Sequence, residues 1–216
     1  MTQKWVILGK GFLSSSLERF ASEYHIPCEI LGREKVDLCD ADQIKHHLRS
    51  IEGQKTVLMP AAIVRLRENS RSSYQQNIEM VQNALDSLDD SVVRFVYFSS
   101  IDVYGKSPNL PISEDNSIEP QDYYSLSKVA GEFFVKEFCN RNNISWNVLR
   151  LSGMFGSKET CKSVVGRMFN TAIRDKTITI NCDPTTARDF VFVEDVSRFV
   201  SKVCKSGKSK VFNVAT

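Results

Sequence analysis

A tyrosine and a lysine stand four residues apart in "DYYSLSKVAGEFF", residues 122–134: Tyr124 and Lys128. On a helix, positions i and i+4 share one face. A free phenol ionises near about pH 10, and a neighbouring ammonium favours its anion. Such a tyrosine passes a proton to or from a substrate hydroxyl near neutrality. With six tyrosines in 216 residues, an isolated Y-x-x-x-K is an everyday coincidence, so its surroundings carry the argument. Upstream, "YFSSIDVYG" ends a run of apolar residues with Ser99 and Ser100. A serine there either terminates a strand or donates a hydrogen bond to an oxygen on which charge develops.

A second constellation suits a phosphate. The first apolar run leads straight into "GKGFLS", residues 9–14. Gly9 permits a tight turn, and Gly11 lets backbone approach a pyrophosphate at a helix N-terminus. The third position of such turns holds glycine or alanine; here it is Ser14. Glycines also serve plain turns, but this one follows the first strand, which points to a dinucleotide. The next strand ends in "EILGREK", with Gly32, Arg33 and Lys35 where NAD sites place an acid for the ribose 2′-hydroxyl. The basic residues favour a 2′-phosphate and hence NADP, with Arg33 as its partner. Glu29 serves NAD instead if the strand ends earlier.

Both constellations need elements to hold them. "KWVIL", "PCEIL", "KTVLMPAA", "VVRFVYFSS" and "SWNVLRLS" read as strands. "LSSSLERFASEY", "DADQIKHHLRSIEG", "SYQQNIEMVQNALDSL" and "SLSKVAGEFFVKEFCNR" read as helices. Asp40 or Asp42 caps the second helix, and Gly53 stops it. The third carries its apolar stripe at 78, 81, 85 and 88. Strands alternating with helices over short connections predict a doubly wound parallel sheet. Ligands then bind outside the carboxyl ends of the strands, where Ser100 falls. Residues 106–122 form a long loop rich in proline and aspartate, and loops of that length are often functional.

Composition excludes other classes. Apolar residues make 42% and charged residues 25%, with a net charge of +2, as in an ordinary globular protein. No block of like charge suits nucleic acid. The densest basic spot, Arg65, Arg67 and Arg71, reads as a solvated loop or helix start. "WVIL" is too short for a signal core or a membrane span. The six cysteines show no C-x-x-C pairing, so they read as reduced thiols in the cytoplasm. The three histidines make no metal-binding spacing.

Taken in order, the segments resemble the extended short-chain dehydrogenase/reductases, the NAD-dependent epimerase/dehydratase type that acts on nucleotide sugars. "GKGFLSSSL" resembles the family's G-x-x-G-F-[IL]-G-x-x-L turn, and "VDLCD" its D-[LV]-x-[DN] segment. "MPAA" is similar to its H-L-A-A strand end, and Asn77 stands at its helix asparagine. "FSSIDVYG" matches S-S-x-x-V-Y-G, and "YSLSKVAGE" matches Y-G-x-S-K-x-x-x-E. "VLRLSGMFG" and "RDFVFVEDV" match two later segments. The resemblance covers nearly the whole chain. It implies a Rossmann-type α/β fold, with a dinucleotide-binding domain over residues 1–150. Residues 151–216 then hold the remaining sheet strands and a small, truncated substrate region.

It further implies a catalytic set of Ser100, Tyr124 and Lys128, with Lys128 also on the nicotinamide ribose. Gly9, Gly11, Phe12, Leu13, Arg33, Asp37, Leu38, Ala61, Ala62 and Asn77 join Tyr124 and Lys128 around the cofactor. Asp102 and Arg188 join Ser100 around a nucleotide-sugar substrate. A homodimer through the helices near 73–88 and 121–142 is implied too, with "FFVKEFC", residues 133–139, contributing. The chain departs from the pattern at the shortened glycine turn, at Pro60 and at Gly153. It also stops at "KVFNVAT", where family members usually run on for several dozen residues.

Three reactions are common on this scaffold. A 4,6-dehydratase needs an acid/base pair after the active serine, where this chain has Ile101 and Asp102; isoleucine transfers no proton. A 4-epimerase keeps NAD bound, and a 4-ketoreductase takes fresh NADPH. The basic end of the second strand favours the reductase. A non-catalytic NAD(P)-binding sensor is the alternative from another class, opposed by the intact serine, tyrosine and lysine.

Overall fold

Strand β1 (Lys4–Leu8) is buried from Trp5 onward. A strand apolar on both sides needs cover on both faces, and the chain supplies it with helices. A computed structural model describes residues 3–106, 110–156, 164–178 and 188–215. After β1 come α1 (Phe12–Glu23), β2 (Cys28–Leu31), α2 (Ala41–Ser50), β3 (Lys55–Met59), α3 (Arg71–Asp86) and β4 (Val92–Ser100). A 3₁₀ turn (Ile101–Tyr104) precedes α4 (Tyr123–Arg141) and β5 (Ser145–Leu151). Then follow β6 (Gly153–Phe155), α5 (Val164–Asp175), β7 (Phe190–Phe192), α6 (Val193–Ser206) and β8 (Lys210–Val214).

Six strands pair in parallel in the order β2-β1-β3-β4-β5-β8, and β6 pairs with β7 apart from them. Successive side chains of a strand point to opposite faces, which divides the core in two. Val6, Leu8, Val57, Met59, Phe95, Tyr97 and Val148 meet the apolar faces of α2, α3 and α4. Trp5, Ile7, Leu58, Val96, Phe98, Leu149 and Leu151 meet those of α1 and α6. A fully covered side chain such as Leu17 stabilises by about 1.5–3 kcal/mol. The chain runs outward from β1 to β2, then crosses back to β3 on the other side of β1. That reversal is a topological switch point, where such sheets open a crevice for ligands.

Asp40 caps α2 by accepting from the Gln43 amide at 3.0 Å, and Gly53 lies beyond the helix with φ +86°. Capping boxes start α3 at Ser70/Ser73 and α4 at Asp122/Ser125. The buried face of α3 differs from the expected stripe. It runs through Ser73, Asn77, Met80, Val81, Ala84 and Leu85. Polar residues take part of it because the Asn77 amide is needed by the neighbouring loop.

Four described cysteines (28, 39, 139 and 204) are free thiols, and Cys161 and Cys182 fall outside the described residues. Among the described residues no helix is long and apolar enough to cross a membrane, and no cluster of ligands could hold a metal ion.

Candidate active site

The carboxyl ends of β1 and β3 open onto a cavity of about 890 Å³, large enough for a cofactor. Its floor is the glycine turn. Gly9 has φ +97°, a conformation that costs other residues strain, and a Cβ there would sit 2.7 Å from the Ala61 Cβ. A Cβ on Gly11 would meet nothing within 4 Å, because it would project into open space. Gly11 is the N-cap of α1 and provides no side-chain cap. The first amides of that helix thus stay available to an anion. Ser14, at the third position of the turn, donates to the Gly9 carbonyl at 2.7 Å. The hydroxyl therefore braces the turn from inside.

Phe12, Leu13, Arg33, Asp37, Leu38, Ala61 and Ala62 all line the cavity. The bare glycine cradle and the uncapped helix would fit the pyrophosphate of a dinucleotide, and Arg33 and Asp37 would hold its adenosine end. Tyr124 and Lys128 are not among the described residues that line the cavity, and neither is Asn77. Its Oδ1 accepts from the Ile63 amide at 2.7 Å, while its Nδ2 donates to the Ile63 carbonyl at 3.1 Å and to Ser127 Oγ at 3.2 Å. It acts on the cofactor wall through Ile63. Arg188, expected at the substrate's diphosphate, is exposed at the edge of the described residues.

Strand β4 ends in Phe98, Ser99 and Ser100, and the first two of these line the cavity. Ser100 is buried, and its Oγ accepts from the Asp102 amide at 3.2 Å. Tyr124 lies in the first turn of α4, beside Ser100. Lys128 is one turn further in, 3% exposed, and its Nζ donates to the Phe98 carbonyl at 2.8 Å. That Nζ stands 4.9 Å from the Tyr97 ring centre and 5.7 Å from that of Tyr124. The three candidate catalytic side chains are thus brought together.

Their electrostatics depart from the simple ammonium argument. Burial pushes the Tyr124 phenol above its ordinary value, and Asp102 adds to the rise; Arg65 and a hydrogen bond from Ser100 work the other way. Burial also lowers Lys128, to about 8, with Glu132 opposing. Lys128 is therefore poised near neutrality instead of being a fixed cation, and desolvation wins over the local pair.

Three charged groups near the site carry more than their sequence context suggests. Glu34 lines the cavity, pairs with Lys10 at 3.4 Å, and folds its carboxylate back over Gly32. Arg65 leaves its surface cluster to bridge Asp102 and Asp122. Arg67 lines the cavity, while Arg71 starts α3 as expected of it. Glu34 was legible as an acid beside Arg33; Arg65 stood in the densest basic spot, but nothing local marked Asp102 and Asp122 as its partners.

The six-stranded parallel sheet with helices on both faces defines a Rossmann-type fold. The chain belongs to the NAD dependent epimerase/dehydratase family, whose model matches residues 9–215. It is 24% identical over 216 residues to the low-salt glycan biosynthesis protein Agl12 of Haloferax volcanii, covering 95% of this chain and 63% of that one. It is 25% identical over 188 residues to a putative UDP-glucose 4-epimerase of Methanocaldococcus jannaschii, covering 85% and 58%. The chain therefore spans about three fifths of the length of these relatives. A UDP-glucose 4-epimerase from Thermotoga maritima, solved with UDP-glucose, superposes with a TM-score of 0.89 at 21% identity, over 99% of this chain and 77% of that one. RMD from Pseudomonas aeruginosa, complexed with NADPH, superposes at 0.83 with 24% identity, over 99% and 78%.

Proposed function

We propose that this protein reduces a keto group on a nucleotide-linked sugar, at the 4-position, with NADPH as the preferred reductant. The observation that supports it best is the meeting of Ser100, Tyr124 and Lys128 next to Phe98 and Ser99, which line the large cavity. A nicotinamide cofactor held at the glycine turn would supply the hydride for the carbonyl carbon. Ser100 hydrogen-bonds the carbonyl oxygen as negative charge grows on it. Tyr124 delivers its proton to that oxygen, completing the hydroxyl. Lys128, protonated, stabilises the phenolate left behind. Dehydration fits less well, because Ile101 has no proton to give and Asp102 is ion-paired with Arg65. Arg33 on the cavity wall supports the NADP preference. Unpaired thiols among the described residues suit a reducing compartment, the cytoplasm.

Glu34 favours a second reading, a 4-epimerase with bound NAD. A carboxylate at the end of β2 suits the ribose 2′-hydroxyl and repels a 2′-phosphate. The names of the relatives agree equally with this reading.

The test is a panel of nucleotide 4-keto sugars with NADPH, and of nucleotide sugars with NAD⁺, followed at the nicotinamide absorbance and by product chromatography. Tyr124→Phe should lose turnover by about 10²-fold or more while retaining cofactor binding. A variant that keeps more than about a tenth of wild-type kcat would remove Tyr124 from the proton relay.

A further inference from the structure

We propose that Arg65 is a positioning residue for the Tyr124 proton relay. It ties the loop that walls the cofactor cavity to the two segments that carry Ser100 and Tyr124. This rests on the reading of Tyr124 as the proton donor.

The loop between β3 and α3 faces two ways. Ala61, Ala62, Ile63, Val64 and Arg67 line the cavity. Arg65 points to the catalytic side, where its Nη2 lies 3.6 Å from Asp102 and its Nη1 3.1 Å from Asp122. Asp102 follows Ser100 by two residues. Asp122 precedes Tyr124 by two and caps α4, accepting from the Ser125 amide at 2.7 Å. Asn69, on the same loop, accepts from the Tyr124 amide at 3.2 Å. With the Asn77 clamp on Ile63, the loop is fixed to α3 and α4, and Arg65 is its charged tie to both catalytic segments.

The tie has an electrostatic consequence. Tyr124 is faced by Asp102 from the turn after β4, by Asp122 at the start of its own helix, by Arg65 from the loop, by Lys128 one turn on, and by Tyr97 from β4. Without Arg65, Lys128 is left to oppose two carboxylates at the phenol, which disfavours its anion. Removing the charge of Asp102 does the opposite. A purely mechanical role would loosen the loop but would not produce opposed shifts.

The experiment is ¹⁹F NMR of the protein made with difluorotyrosine, whose more acidic phenol brings the raised Tyr124 midpoint into a range where the fold stands, with Tyr124→Phe identifying the signal. The Tyr124 titration midpoint is read in wild type, Asp102→Asn, Asp102→Asn/Arg65→Met and Asp102→Asn/Arg65→Lys. Asp102→Asn should lower the midpoint by about half a pH unit or more. Adding Arg65→Met should raise it again by a similar amount, and adding Arg65→Lys should leave it low. In Arg65→Met alone, amide hydrogen exchange over residues 122–126 should quicken by about tenfold, with Arg65→Lys near wild type. The proposal is overturned if Asp102→Asn titrates no lower than wild type, if adding Arg65→Met leaves that midpoint unmoved, or if exchange is unchanged. None of these readouts needs turnover. Activity retained by Tyr124→Phe would sink the functional reading and leave the Arg65 result standing.

Discussion

Arg150→Met should cost the fold about 3–5 kcal/mol, the usual penalty for removing one partner of a buried ion pair. Arg150 and Glu132 are 2% and 3% exposed, and they join β5 to α4 through bonds of 2.9 and 2.8 Å. Ser99 donates to the same carboxylate at 2.6 Å. Arg150 also donates to the Tyr104 hydroxyl at 2.7 Å and to the Glu114 carbonyl at 3.2 Å, which ties the backbone at Glu114 to β5. The variant leaves a carboxylate buried, with Lys136 at 3.7 Å as partial relief, so the lower end of the range is expected. Against a total stability of about 5–15 kcal/mol, that loss is large. At about 2–4 °C per kcal/mol for a chain of this size, Tm falls by roughly 6–12 °C. Glu132→Leu should cost about as much. The double variant Glu132→Leu/Arg150→Met should cost less than the sum by about 2 kcal/mol or more, because no charge remains stranded. Urea unfolding followed by tryptophan fluorescence measures all four proteins. A loss below about 1 kcal/mol for Arg150→Met, or simple additivity in the double variant, would refute the reasoning.

The Lys128 amine has a sign that can be checked. Its folded value, about 8, lies below the free value of 10.5, so the unfolded chain holds the proton longer and stability should rise as pH climbs from about 8 to about 10.5. Urea midpoints across that window should rise more in wild type than in Lys128→Met, and parallel curves would refute the shift. Titration calorimetry should find NADPH bound tighter than NADH by about 1–3 kcal/mol, the scale of a charge-assisted contact. Arg33→Ala should erase that difference and Glu34→Gln widen it; equal affinities in the wild type, or NAD⁺ held tightly through purification, would move the assignment to the epimerase. On α4, Tyr123, Leu126 and Phe133 are 44%, 41% and 61% exposed, so light scattering at micromolar concentration should give a dimer mass and Phe133→Asp a monomer. A wild-type monomer would end the dimer proposal.

Local pattern made most of the sheet legible. "VVRFVYFSS" is β4 residue for residue, because a strand covered on both faces is apolar almost throughout. The same run of reasoning slipped on α3. Counting apolar letters put the stripe at 78, 81, 85 and 88, but Ser73 and Asn77 lie on the buried face. A buried amide is invisible to a hydrophobic count when its partner, Ile63, belongs to another element. "FFVKEFC" holds more large apolar side chains than the sheet-facing stripe needs. Phe134, Val135, Phe138 and Cys139 pack against the core, which leaves Phe133 of that stretch to solvent. The place of β8 beside β5 was equally beyond local pattern, since the pairing of Asn147 with Lys210 joins segments more than sixty residues apart.

The site divides along the same line. Tyr124 and Lys128 were found together because i and i+4 on a helix are neighbours in any fold. The direction of the tyrosine shift was not, since spacing reveals a nearby charge but says nothing about water. In the fold the phenol and the amine are both desolvated, and desolvation disfavours each charged form: it raises one group and lowers the other. What tempers it comes from afar. Asp102 and Arg65, which push the phenol in opposite directions, lie on separate loops, and Arg65 reaches Asp122 across 57 residues of sequence. A helix can place an acid and a base within reach of each other. Setting which of them holds the proton takes charges from the ends of other strands, and those meet only when the parallel sheet lines its carboxyl edges along one crevice.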